Sequence, residues 1–63
     1  MWILNATCTF AENKETGETL RCDYRKDGLI RVKKKYKTIS TFRSMSDAQV
    51  FLTELVKKLN GGT

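Results

Sequence analysis

The chain has no histidine, no proline and only two cysteines among its 63 residues. Histidine is the side chain whose ordinary proton exchange lies near neutral pH, so its absence removes the commonest general base and the commonest zinc ligand. Cys8 and Cys22 form no C-x-x-C pair and have no third thiol beside them, so no metal site is expected. No apolar run approaches the roughly 20 residues that span a bilayer. The start, Met1-Trp2-Ile3-Leu4, lacks a basic n-region and meets Asn5 at once, unlike a secretion signal. The resulting expectation is a cytoplasmic chain with reduced thiols and no membrane partner, in which the sequon Asn5-Ala6-Thr7 is an accident of composition.

Catalytic chemistry is equally thin. Asp23 and Asp27 are isolated carboxylates, no Gly-rich phosphate loop is present, and Ser44 and Ser46 read as helix caps. No enzyme activity, catalytic residue or cofactor is expected. No repeat or low-complexity linker divides the chain, so residues 1–63 read as one small domain, with Asn60-Gly61-Gly62-Thr63 as a flexible tail.

What the sequence does have is concentrated positive charge. The formal net charge is +5. Residues 21–37 alone hold eight cations (Arg21, Arg25, Lys26, Arg31, Lys33, Lys34, Lys35, Lys37) against two carboxylates, Asp23 and Asp27. Such focusing favours a polyanionic partner over an evenly solvated surface.

Hydrophobic periodicity predicts three strands and one helix. In a first strand, about 2–11, Trp2, Leu4, Ala6, Cys8 and Phe10 alternate with Asn5, Thr7 and Thr9. A second, about 18–25, alternates Leu20, Cys22 and Tyr24 with Thr19, Arg21, Asp23 and Arg25. A third, about 29–37, alternates Ile30, Val32, Lys34 and Tyr36 with Leu29, Arg31, Lys33 and Lys35, and Ile39 and Phe42 carry the apolar thread onward. A two-residue Asp27-Gly28 loop pairs Cys22 with Lys33 and mixes core with solvent sides. A three-residue Lys26-Asp27-Gly28 loop pairs Tyr24 with Ile30 and Cys22 with Val32, and puts Gly28 where a G1 bulge needs positive φ. By the same parity Cys8 is expected opposite Cys22, as small apolar filler or, alternatively, a disulfide.

A helix over about 45–60 follows from Met45, Ala48, Phe51, Leu52, Leu55, Val56 and Leu59, which share one face, while Val50 points away. Ser44 can cap it with Asp47 in the box position, and Gly61 can end it. The expected fold class is therefore α+β, a three-stranded antiparallel sheet with one C-terminal helix packed on one face (β-β-β-α). The helix takes the apolar face. The other face, left open, carries Asn5, Thr7, Thr9, Arg21, Arg25, Arg31, Lys33 and Lys35. Arg and Lys there suit phosphates, Arg suits a guanine edge, and Asn and Thr add polar contacts. Arg21, Arg25, Arg31, Lys33, Lys35, Asn5 and Thr7 are thus the candidate nucleic-acid-binding residues. No aromatic is expected on that face, which speaks against single-strand binding by stacking.

The segment from Tyr24 to Leu55, with a basic hairpin followed by Phe42, Ser44, Asp47 and Ala48 opening the helix, resembles the arm-type, AP2-like N-terminal DNA-binding domain of tyrosine recombinases from phages and conjugative transposons. The resemblance implies a three-stranded sheet docked in the DNA major groove, with Arg21, Arg25, Arg31, Lys33 and Lys35 facing the groove. The sequence departs from that family in that no catalytic recombinase domain follows, so the expectation is a free-standing binding module of a phage or other mobile element. Double-stranded RNA-binding domains also run three strands into a basic helix, but their first helix has no counterpart here. The expected partner is nucleic acid, with duplex DNA favoured over RNA. The alternative is a small phage or mobile-element protein that binds and inhibits a host or defence protein.

Overall fold

The structure, a computed structural model, describes residues 1–61. Five strands, β1 (Trp2–Leu4), β2 (Phe10–Asn13), β3 (Thr19–Tyr24), β4 (Ile30–Lys34) and β5 (Lys37–Phe42), precede one helix, α1 (Met45–Leu59). The strands form an antiparallel meander in chain order, and α1 contacts all five. The α+β plan with a C-terminal helix on one sheet face stands. The strand count is five, not three.

The first correction lies between Leu4 and Phe10. Asn5 ends β1 because its side-chain Oδ1 accepts the backbone N–H groups of Thr9 (2.9 Å) and Phe10 (3.2 Å), closing a loop that Asn side chains favour. Cys8 completes the reversal at φ 59. The resulting register pairs Leu4 with Ala11 and Trp2 with Asn13. Paired residues share a face, so Ala11 turns inward and is fully buried while Phe10 turns to the other side. Cys8 therefore does not oppose Cys22; both thiols are free, and Cys22 donates its backbone N–H to the Thr9 carbonyl instead.

The β3–β4 hairpin has the register expected from parity, with Tyr24 opposite Ile30 and Cys22 opposite Val32. Gly28 sits at φ 81, a conformation in which a Cβ is strained. The second correction follows β4. The chain reverses at Lys35-Tyr36, pairing Lys34 with Lys37, and runs back as β5 where sequence periodicity extends the third strand to Lys37. The register shifts between Val32 and Lys33, leaving Ile39 as the unpaired residue of a bulge. Beyond the shift, Phe42 pairs with Ile30 on the inner face and meets Phe51 of the helix with ring centroids 5.2 Å apart.

The core is Trp2, Ala11, Leu20, Ile30 and Val32 from the sheet and Ala48, Leu52 and Val56 from the helix. Phe10 and Tyr24, expected inside, are exposed, as is Leu59 at the last helical turn. Val50 points to solvent as its phase requires. Ser44 occupies the N-cap position but makes no side-chain cap bond; the helix starts on its carbonyl, which accepts Ala48 N–H at 3.2 Å. Gly61 ends the helix at φ 80. Asn60, read as the start of a flexible tail, is fixed: its Oδ1 accepts Trp2 N–H (2.8 Å) and its Nδ2 donates to the Trp2 carbonyl (3.0 Å). The rest of that tail, Gly62 and Thr63, lies outside the described residues.

Candidate functional site

One helix shields one side of the sheet, and among the described residues no element covers the other. The register builds this open face row by row. Phe10, Arg21, Lys33 and Thr38 lie abreast across β2 to β5. Asp23, Arg31 and Thr41 form the neighbouring row. Period-two alternation in β3 and β4 places Arg21, Arg31 and Lys33 outward, as the sequence indicates.

Charge on this face is not uniform. Asp23 stands between cations: its Oδ2 is 3.3 Å from Arg25 Nε and 4.0 Å from Lys33 Nζ. Arg31 Nη2 donates to Asp27 Oδ2 at 2.8 Å. That contact, joined by the Leu29 backbone N–H, holds the Asp27 carboxyl below its ordinary range and raises the Arg31 guanidinium. Lys33 and Arg31 also lie flat, with side chains only 15% and 24% exposed, and Arg31 Nη1 is buried without a hydrogen-bond partner. Among the described residues, Arg21 and Lys35 form no ion pair and are exposed; Lys37, also unpaired and exposed, shares the inner side with its register partner Lys34. On the inner side of the same end, Lys34 is engaged by Glu18 at 2.8 Å, which lowers the Glu18 carboxyl. Arg21 and Lys35 thus stand as exposed cations outside any ion pair at the β4–β5 turn end of the face.

At that place the face is concave. Phe10, Thr19, Arg21, Lys35 and Tyr36 line a shallow depression of about 500 Å³. The aromatic-free face expected from the sequence is thus corrected. Phe10 is 39% exposed and Tyr36, at the tip of the hairpin, 99%. Lys35 holds φ 57 beside it. Phe10 was hidden from sequence reasoning by the parity change at Asn5, and Tyr36 by a turn without glycine, asparagine or proline.

Two candidate residues fall elsewhere. Asn5 and Thr7 sit in the β1–β2 loop, not on an outward strand face. Asn5 spends its amide oxygen on that loop, and the Thr7 carbonyl accepts Gln49 Nε2 of the helix at 2.8 Å. The loop is therefore tied toward the helix. Arg25 follows β3 and borders the face through Asp23. Of the seven candidates, Arg21, Arg31, Lys33 and Lys35 come together, Arg25 flanks them, and Asn5 and Thr7 do not join.

Burial pushes the Cys22 thiol up, which keeps it protonated. No group of three or more potential metal ligands occurs among the described residues, and no described helix is long and apolar enough to cross a membrane. No protein-family model, curated protein or solved structure matches the chain.

Proposed function

We propose that this domain binds nucleic acid through the open face of its sheet, centred on Arg21 and Lys35. The observation that carries the reading is the concavity where these two unpaired, exposed cations converge. Cations without carboxylate partners are free to neutralise phosphates and release counterions, the dominant source of nucleic-acid affinity. Arg31, Lys33 and Arg25 shape the field but must first surrender Asp27 or Asp23, so they contribute less.

The breadth of the sheet bears on the mode of contact. Five strands at ~4.8 Å spacing span about 19 Å between outer strands, whereas the DNA major groove is ~12 Å wide and admits a two-stranded ribbon. The recombinase resemblance implies a three-stranded sheet in the groove, about 10 Å across; a five-stranded sheet is wider than the groove, so the contact we favour is through the basic hairpin end. The alternative of a protein partner adding a strand to β5 is disfavoured by the bulge at Ile39, which interrupts that edge.

Fluorescence anisotropy with labelled oligonucleotides across a salt series tests the reading. Binding is expected to weaken linearly in log–log form, and the double substitution Arg21→Ala, Lys35→Ala to reduce the salt slope by about 2. Lys33→Ala should change it less. No binding of duplex or single-stranded oligonucleotides at low salt would end the proposal.

A further inference from the structure

Tyr36 buries almost nothing. At 99% exposure it contributes no core area, yet it stands at the tip of a hairpin whose preceding residue, Lys35, holds positive φ without being glycine. That conformation is costly for an L-residue, and such strain is retained most often where side-chain direction matters. Here it sets Lys35 and Tyr36 together on the rim of the depression that Phe10 and Arg21 complete. Tyr36 also borders a second concavity, lined by the Glu18–Lys34 ion pair and by Lys35, Lys37, Thr38 and Ile39. Two exposed aromatics, Phe10 and Tyr36, thus border one depression together with Arg21 and Lys35, cations outside any ion pair.

Resting on the nucleic-acid reading above, we infer that this depression is a site for the unpaired bases of a single strand, with Phe10 and Tyr36 stacking on base faces and Arg21 and Lys35 holding the phosphodiester. In a duplex the base faces are stacked on one another and cannot reach an aromatic ring. Phe10 and Tyr36 are therefore of use only to an unstacked strand, where each stacked base adds affinity without regard to sequence. Charge complementarity supplies the rest: Arg21 and Lys35, both exposed and outside any ion pair, line the same depression.

The experiment compares four probes of equal length on the full chain: oligo(dT), oligo(U), a duplex, and an abasic oligodeoxynucleotide with the same phosphates and no bases. Oligo(dT) or oligo(U), which distinguish DNA from RNA as the source, is expected to bind about tenfold or more tightly than the abasic strand. Tyr36→Ala should lower single-strand affinity by about fivefold or more while leaving abasic binding and the salt slope unchanged. Phe10→Ala should do likewise, and thermal melts check that it folds; Tyr36→Ala, at a site with no packing role, carries the test alone if it does not. Equal affinity for abasic and base-bearing strands, a duplex bound as tightly as the single strand, or an unchanged Tyr36→Ala would overturn the stacking site and leave the polyanion reading in place. Failure of every probe to bind would remove both.

Discussion

The side-chain amide of Asn60 pairs with both backbone groups of Trp2, accepting its N–H at 2.8 Å and donating to its carbonyl at 3.0 Å. A residue just past the helix thereby acts as a one-residue strand on the free edge of β1. The edge would otherwise present an unpaired N–H and C=O to another chain, and the bond closes the meander over its own helix. It links residues 58 apart, so it ties the two ends of the chain.

Replacing Asn60 with alanine leaves both partly buried Trp2 groups without these partners. Two lost hydrogen bonds of this kind cost about 2 kcal/mol, or about 10 °C in Tm for a domain this small. Asn60→Asp keeps the acceptor for Trp2 N–H but sets a carboxylate oxygen against the Trp2 carbonyl. That repulsion raises the introduced carboxyl's pKa in the folded state, so the variant should regain stability as pH falls and the acid becomes a donor. Thermal melts at pH 7 and pH 4 check both. An Asn60→Ala Tm equal to that of the parent would show that the pairing does not hold the edge.

Acid should act on the parent in the opposite direction. The Glu15, Glu18 and Asp27 carboxyls are lowered by the N-terminal ammonium, by Lys34 with Thr16, and by Arg31 with the Leu29 backbone N–H. Because their folded pKa values lie below the unfolded ones, the unfolded chain binds more protons as pH drops. The stabilisation is complete above about pH 5 and is lost below about pH 4 as pH falls through the folded values. With no histidine in the chain, stability should stay flat from about pH 5 to 7. Denaturant midpoints across pH 2–7 test this, and Asp27→Asn should make the acid decline shallower. A decline that begins near pH 6 would contradict the assignment.

How much of this was legible in the sequence depended on whether a local signal had one physical meaning. Gly28 after a Lys-Asp pair, flanked by alternating Tyr24, Cys22, Ile30 and Val32, admits only one register that keeps the core on one side, and the structure has it. The helix was equally plain, because Ala48, Leu52 and Val56 recur at helical spacing and are the residues it buries. Residues 5–9, by contrast, alternate like a strand while Asn5 bends them into a loop. Period two cannot tell these apart, since the loop's conformation rests on one side-chain amide and a positive φ at Cys8. The consequence reached the site. Outward Arg21, Arg31 and Lys33 followed from alternation within single strands, whereas outward Phe10 required the cross-strand register. The Lys35-Tyr36 turn carries none of the usual turn residues, so β5 read as a continuation toward the helix.

That turn yields the sharpest separation of stability from function. In a two-residue hairpin loop, positive φ at the first position alone is the II′ pattern, for which glycine is preferred. Lys35 occupies it at φ 57. Lys35→Gly should relieve backbone strain of about 1 kcal/mol, offset in part by the larger entropy of glycine in the unfolded chain. The expected result is a Tm equal to or slightly above the parent's. Binding should move the other way, with weaker affinity for single-stranded oligonucleotides and a salt slope smaller by about 1. A variant that melts lower would show that Lys35 is held there by packing; one that melts as high but binds as tightly would show that the strain serves no ligand. Melts and anisotropy titrations on the same two proteins decide between them.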